Sequence, residues 1–221
     1  MLVQIYEIGS PEEGRAVAAL GVDHVGVLVG NGAFPREQAP ARARAIFAAL
    51  PPRTKRVALS LSAEIEDIAR AIEATGPDIV HIGAAAERFG PEQSREAKRR
   101  YPGVKLMRSI PVTGESSIAF AKAHEGIADF LLLDSHAPGD AQIGALGRTH
   151  DWRLSRRIVE TVTIPAILAG GLGPDNVAAA IRAVGPAGVD SKTKTDRVGA
   201  HAKDLEKVRA FVAWAKAEHS Y

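Results

Sequence analysis

Two short segments of the 221-residue chain carry the residue types that hold an anion. One is Ala169-Gly170-Gly171-Leu172, with a proline-led helix start close behind at Pro174. The other is Ser191-Lys192-Thr193-Lys194-Thr195. Paired glycines let backbone N–H groups approach an oxyanion closely, and the second segment adds hydroxyls and cations. A bound phosphate wants all three. Either segment alone reads as a glycine turn or a solvated basic loop. A third candidate is Asp134, at the end of Leu131-Leu132-Leu133-Asp134-Ser135. An aspartate just past three leucines either caps the following loop or is a carboxyl whose pKa burial raises, which suits proton donation.

These residues need a frame. Short β-branched runs alternate with Ala-rich amphipathic segments along the whole chain. The runs Leu2–Ile8, His24–Val29, Arg56–Leu61, Ile79–Ile82, Val104–Ile110, Phe130–Leu133, Ile164–Leu168 and Gly188–Asp190 read as parallel strands covered on both faces. Helices are expected over 11–20, 38–50, 63–75, 91–101, 114–125, 151–162, 174–184 and 203–219. Ser10-Pro11-Glu12-Glu13 reads as a capping box with proline in the first turn, and Gly21 as the stop that follows. Alternation of this kind means an open doubly wound sheet or a closed barrel, and eight similar units favour a single (β/α)8 TIM barrel. No shift in composition divides the chain, so residues 1–221 read as one domain. In a barrel the site lies at the C-terminal ends of the strands, and the seventh and eighth loops commonly hold phosphate. Asp134 and both glycine- and lysine-bearing segments fall at that end. The one long irregular stretch, Ser135 to His150, falls there too, and loops of that size are usually functional.

Composition narrows the chemistry. With 28 basic and 26 acidic residues the net charge is +2, and no basic block suggests a nucleic-acid partner. The cysteine count is 0, which removes disulfides, thiolate metal sites and a cysteine nucleophile or base. No apolar run approaches the roughly 18 residues of a membrane helix. Met1–Ile8 lacks a basic head and is interrupted by Gln4 and Glu7, unlike a signal peptide. A cytoplasmic protein without a membrane partner is expected. His136, Asp140, His150 and Asp151 match no metal-ligand spacing, so neither metal nor cofactor is expected. Lys105 lies too early in its strand for Schiff-base chemistry. Trp152 and Trp214 read as helix packing residues, and Arg95–Arg100 as a solvated helix face.

Several segments, taken in order, resemble one family. They are Val3-Gln4-Ile5, Pro35-Arg36, Leu131–Ser135, Gly144–Trp152, Pro165–Val177 and Gly188-Val189-Asp190. Over most of the chain they are similar to the phosphoribosylanthranilate isomerases, (β/α)8 enzymes of tryptophan biosynthesis. The resemblance implies an Amadori-type isomerisation of a small phosphorylated substrate, a phosphoribosyl amine, to a 1-deoxyketose. Asp134 would be its acid. Arg36 would grip the substrate carboxylate by a bidentate pair. Gly170, Gly171, Lys192 and Thr193 would hold the phosphate.

The departures from that family are concentrated at the strand ends. Where its first strand carries Cys-Gly, with the cysteine as general base, this chain has Tyr6-Glu7. Its fourth strand reads Gln-Leu-His-Gly; here His81-Ile82-Gly83-Ala84 stands. Its eighth ends in Ser-Ser-Gly; here the residues are Lys192-Thr193-Lys194. Loss of a positioned base costs ~10²–10⁴-fold. Tyr6, with an ordinary pKa near ~10, is a poor substitute at neutral pH. Glu7 is a better base, but neighbours on a regular strand face opposite ways, so its use requires a bulge or twist. His81 has a suitable ordinary pKa, or is simply a hydrogen-bonded interior histidine. Turnover at least ~10²-fold below a cysteine-bearing relative is therefore expected. The alternatives are a diverged barrel isomerase or lyase with another phosphorylated or carboxylated substrate, and a non-catalytic anion-binding relative.

Overall fold

Each apolar run forms a parallel strand and each amphipathic segment a helix behind it. The computed structural model describes residues 1–136, 139, 142–144 and 149–218. The strands are β1 (Leu2–Ile5), β2 (His24–Leu28), β3 (Lys55–Ser60), β4 (Ile79–Ile82), β5 (Lys105–Pro111), β6 (Phe130–Asp134), β7 (Ala166–Leu168) and β8 (Gly188–Ser191). They close into a parallel barrel in sequence order, with β1 paired to both β2 and β8. The helices are α1 (Pro11–Ala19), α2 (Pro40–Ala48), α3 (Ile65–Thr75), α4 (Pro91–Arg100), α5 (Glu115–Lys122), α6 (Trp152–Thr161), α7 (Val177–Val184) and α8 (Leu205–Ala217). This is the expected (β/α)8 barrel. The first strand is shorter than its apolar run: it stops at Ile5, and Glu7 has a left-handed backbone with φ 61°.

Side-chain alternation sorts the strands into two cores. Along β1, Val3 and Ile5 pack outward against the helices, while Leu2 and Tyr6 join Val57, Ile79, Met107, Leu132 and Ile167 inside the barrel. On β5 the same alternation sends Met107 inward and Arg108 outward. Arg108 is fully buried and donates to the carbonyls of Ile82, Ala84 and Phe89 at 2.7–2.9 Å, which pins the loop after β4. Trp152 packs against the outer core as expected, but Trp214 on α8 is 54% exposed and is not a packing residue.

Helix starts anchor the loops that carry the mouth. Ser10 accepts from Glu13 N at 3.2 Å, the expected cap. The returning arm differs: Glu13 accepts from Gly9 N at 2.7 Å and from Lys203 N at 2.6 Å, so the first turn of α1 ties the first loop to the last. Asp151 caps α6 through Arg153 N. Gly21 has φ 91° and ends the first helix as expected.

The Tyr6 ring lies flat over the backbone of Gly26, the middle residue of β2. A Cβ at Gly26 would fall 2.1 Å from two ring carbons. Gly26→Ala is therefore expected to destabilise the fold by about 1–3 kcal/mol, measured by urea denaturation. Combining it with Tyr6→Ala should recover most of that loss, because the clash is then gone. Additive losses in the double variant would contradict the packing account.

Candidate active site

A cavity of about 240 Å³ opens at the C-terminal mouth of the barrel. Tyr6, Glu7, Arg36, His81, Asp134, Gly170, Gly171, Lys192 and Thr193 all line it. Every residue given a catalytic or substrate-binding role from the sequence thus reaches one pocket, although the residues come from six different strand ends.

Its floor is a hydrogen-bonded chain. Tyr6 Oη lies 2.5 Å from His81 Nδ1, and His81 Nε2 lies 2.7 Å from Ser109 Oγ. Burial pushes the phenol well above its ordinary value, with the charge of Asp190 adding to the effect. Burial, helped by the Arg108 cation, depresses His81 to about 3. At neutral pH the phenol keeps its proton and the imidazole is uncharged. His81 is thus a satisfied interior histidine, held on both nitrogens, and neither it nor Tyr6 is a ready proton acceptor. Beneath them Gln4 Nε2 donates to Asp190 Oδ1 at 3.2 Å, and Gln4 Oε1 lies 3.1 Å from His24 Nδ1. Burial, then the charge of Asp134, raises Asp190 to about 8. Gln4, Ser109, Asp190 and Gly26 were given no site role from the sequence. The available signals were polar residues and a glycine inside otherwise apolar strands.

The wall beside the floor is ionic. The left-handed backbone at Glu7 turns its carboxylate into the mouth next to Tyr6, so the opposed facing expected of a regular strand does not apply. Glu7 Oε2 is 2.8 Å from Arg36 Nε, and Oε1 pairs with Lys192 Nζ. Arg36, also left-handed with φ 71°, donates from Nη1 to Asp196 at 3.1 Å. Asp196 in turn holds the buried Lys203 Nζ at 2.6 Å. Charges alternate along Lys192, Glu7, Arg36, Asp196 and Lys203, with three cations against two anions. The Lys192 ammonium is thereby turned toward the first loop. Arg36 Nη2 is buried and unpaired.

Asp134 sits on the opposite arc. Its Oδ1 accepts from Ser135 N at 2.7 Å, and a Cβ at Gly144 would fall 2.1 Å from Oδ2. With φ 92° as well, position 144 is restricted to glycine, and the long loop presses directly on this carboxyl. Ile143 N donates to Gly83 O and Gly144 N to Ser135 O, both at 2.8 Å, which folds the loop across the ends of β4 and β6. Asp140, Gly147 and Arg148 lie outside the described residues. Among the described residues no group of three His, Asp or Glu is placed to hold a metal, and no helix is long and apolar enough to cross a membrane.

Loops seven and eight meet as expected. Gly170 and Gly171 have φ 85° and 62°, and Ser191 Oγ donates to Leu172 O at 2.7 Å. A short 3₁₀ turn over Thr193–Thr195 follows Lys192, and the Lys194 stem packs against Gly173. The backbones of both loops therefore face a common space.

Comparison with known proteins finds a family model, related sequences and related solved structures. The family model described as N-(5'phosphoribosyl)anthranilate (PRA) isomerase matches residues 13–214. The chain is 35% identical over 212 residues to an N-(5'-phosphoribosyl)anthranilate isomerase of Methanocella arvoryzae, covering 95% of each. It superimposes on the phosphoribosyl anthranilate isomerase of Thermus thermophilus with a TM-score of 0.81 at 27% identity, covering 98% of this chain and 99% of the other. A further solved isomerase, in complex with reduced 1-(o-carboxyphenylamino)-1-deoxyribulose 5-phosphate, shares the fold at 24% identity and a TM-score of 0.81, covering 98% and 100%.

The buried titrating groups set a stability profile. Asp190 has a raised pKa in the fold, so its contribution favours low pH and is lost between about 4 and about 8. His24, His81, His124 and His150 have depressed values, so theirs is lost as pH falls below about 6.5. Stability should therefore peak near neutrality. Asp190→Asn should remove the alkaline-side decline, a slope of up to about 1.4 kcal/mol per pH unit for one proton. Urea denaturation at a series of pH values measures this, and identical slopes in both proteins would contradict it.

Proposed function

We propose, since the chain belongs to the N-(5'phosphoribosyl)anthranilate isomerase family, that it isomerises N-(5′-phosphoribosyl)anthranilate to the corresponding 1-deoxyribulose 5-phosphate amine. The observation that carries this reading is the convergence of an acid, a guanidinium and two phosphate-type loops in one barrel mouth. The reaction moves protons and shifts a double bond with no net oxidation, so it calls for neither cofactor nor metal.

Each end of the substrate finds a complementary wall. The phosphate fits between the backbones of Gly170-Gly171 and Thr193, where the excess positive charge of the neighbouring ion row favours a dianion. Lys192 contributes through that field, because its ammonium is held by Glu7. Arg36 engages Glu7 and Asp196 through Nε and Nη1, and its remaining nitrogen, Nη2, is buried, so it would meet the aromatic carboxylate only after the side chain shifts. Its grip is then through one nitrogen, not the two-nitrogen fork that the resemblance implies. Asp134 protonates the ribose ring oxygen, the C1′–O4′ bond opens, and the amine lone pair forms the C1′ imine. The ring oxygen leaves as a hydroxyl.

The setting follows from the chemistry. A phosphorylated biosynthetic intermediate is made and used in the cytoplasm, where we place this step of tryptophan biosynthesis. The readings as a lyase or a non-catalytic relative have no observation of their own in their favour.

Asp134→Asn tests the assignment. It should lower kcat by ~10²–10⁴-fold, while the reduced 1-(o-carboxyphenylamino)-1-deoxyribulose 5-phosphate still raises the melting temperature as it does for the unsubstituted protein. If the unsubstituted protein shows neither turnover nor stabilisation by that compound, the proposed function is wrong.

A further inference from the structure

The isomerisation also needs a group to take the C2′ proton, and no cysteine exists to do it. We propose that Glu7 is that general base, acting from the turned backbone beyond β1, and that Tyr6 and His81 form the structural floor beneath it. This inference rests on the isomerase reading above.

The argument begins with exclusion. Tyr6 is sandwiched between Gly26 and the barrel axis, and its hydroxyl is committed to His81. His81 is committed at both nitrogens, to Tyr6 and to Ser109. To act, either would have to break a short buried hydrogen bond. Asp190 also lines the cavity, but burial keeps its carboxyl protonated near neutrality, and Gln4 donates to one of its oxygens.

Glu7 meets the positive requirements. Its left-handed backbone does what a bulge would do, placing an acidic side chain at the mouth where a regular strand would point it outward. The carboxylate is fixed from two sides by Lys192 and Arg36, so its direction is preorganised. Oε2 makes its charge contact with Arg36 but accepts no well-aligned hydrogen bond from it or from any other described group. That oxygen is buried, so its unused lone pair reaches a proton only once the side chain turns toward the cavity that Glu7 lines. The proton it takes is activated by the adjacent protonated imine, whose positive charge draws in the electrons of the C2′–H bond.

The step balances. Glu7 takes the C2′ proton, the C–H pair becomes the C1′=C2′ bond, and the imine pair returns to nitrogen. The Glu7 carboxylic acid then gives a proton to C1′. The 2′-hydroxyl loses its proton to the Asp134 carboxylate as the C2′ ketone forms. Both carboxyls end as they began.

The test compares Glu7→Gln and Glu7→Asp with the unsubstituted protein. The readouts are kcat, Kd for the reduced product analogue, melting temperature, and the isotope effect with substrate deuterated at C2′. Glu7→Gln should lower kcat by ~10²–10⁴-fold with the analogue's Kd changed less than about threefold. Glu7→Asp should keep part of the activity and show a larger C2′ isotope effect, because the shorter carboxylate makes proton removal slower. Three results would overturn the proposal while leaving the isomerase reading intact. One is kcat in Glu7→Gln within tenfold of the active unsubstituted protein. Another is a parallel loss of kcat and analogue binding in folded Glu7→Gln, which marks a purely structural role in positioning Arg36. The third is a ~10²–10⁴-fold loss of kcat in Tyr6→Phe with Glu7→Gln still active. An unsubstituted protein that binds the analogue but turns nothing over contradicts the isomerase reading itself, and the assignment of Glu7 with it.

Discussion

The left-handed backbone at Glu7 governs the barrel mouth. It ends β1 at Ile5 and brings the side chains of two successive residues, Tyr6 and Glu7, into the same cavity. A non-glycine residue in this conformation costs roughly 1–2 kcal/mol. Two ion pairs in a nearly buried setting offset that cost. Arg36 is tied to Asp196 and Asp196 to Lys203, so ion pairs link the first, second and eighth loops. Strain retained in this way is characteristic of functional sites.

Below that wall the barrel is built to stay neutral. A tyrosine ring fills space over Gly26, and its hydroxyl, His81 and Ser109 satisfy one another. Desolvation keeps all of these groups uncharged near pH 7, as it does Asp190. The charged and the uncharged halves of the mouth divide the work. In the proposed mechanism the floor shapes the pocket, while Glu7 in the ionic wall and Asp134 move protons.

Much of this was legible in the sequence. Strands and helices could be read because parallel strands buried on both faces form continuous apolar runs punctuated by caps such as Ser10 and stops such as Gly21. Once eight units implied a barrel, the strand-end rule put Asp134, Gly170 and Lys192 in one place. The backbone angle at Glu7 was not legible. Strand periodicity places residue 7 outward, and only the pairing with Arg36 and Lys192 makes the turned state hold. The Lys192 contact was missed for the same reason, since the two residues are neighbours only after β1 closes on β8. Gly26 offered a signal, a glycine within an apolar strand, but its meaning depended on knowing which ring lay above it. Trp214 misled because a large aromatic residue on an amphipathic helix usually packs, and here it faces solvent.

The central claim is that the base has moved from the side chain at the end of strand one to the carboxylate on the turn beyond it. A crystal structure with reduced 1-(o-carboxyphenylamino)-1-deoxyribulose 5-phosphate bound tests it most directly, through the distance from each candidate group to the C2′ carbon. The account predicts a Glu7 carboxylate oxygen within about 3–3.5 Å of C2′, with Asp134 facing the ligand from the opposite side. It is contradicted if the Tyr6 hydroxyl or His81 occupies that position and Glu7 remains beyond the reach of proton transfer, more than about 5 Å away.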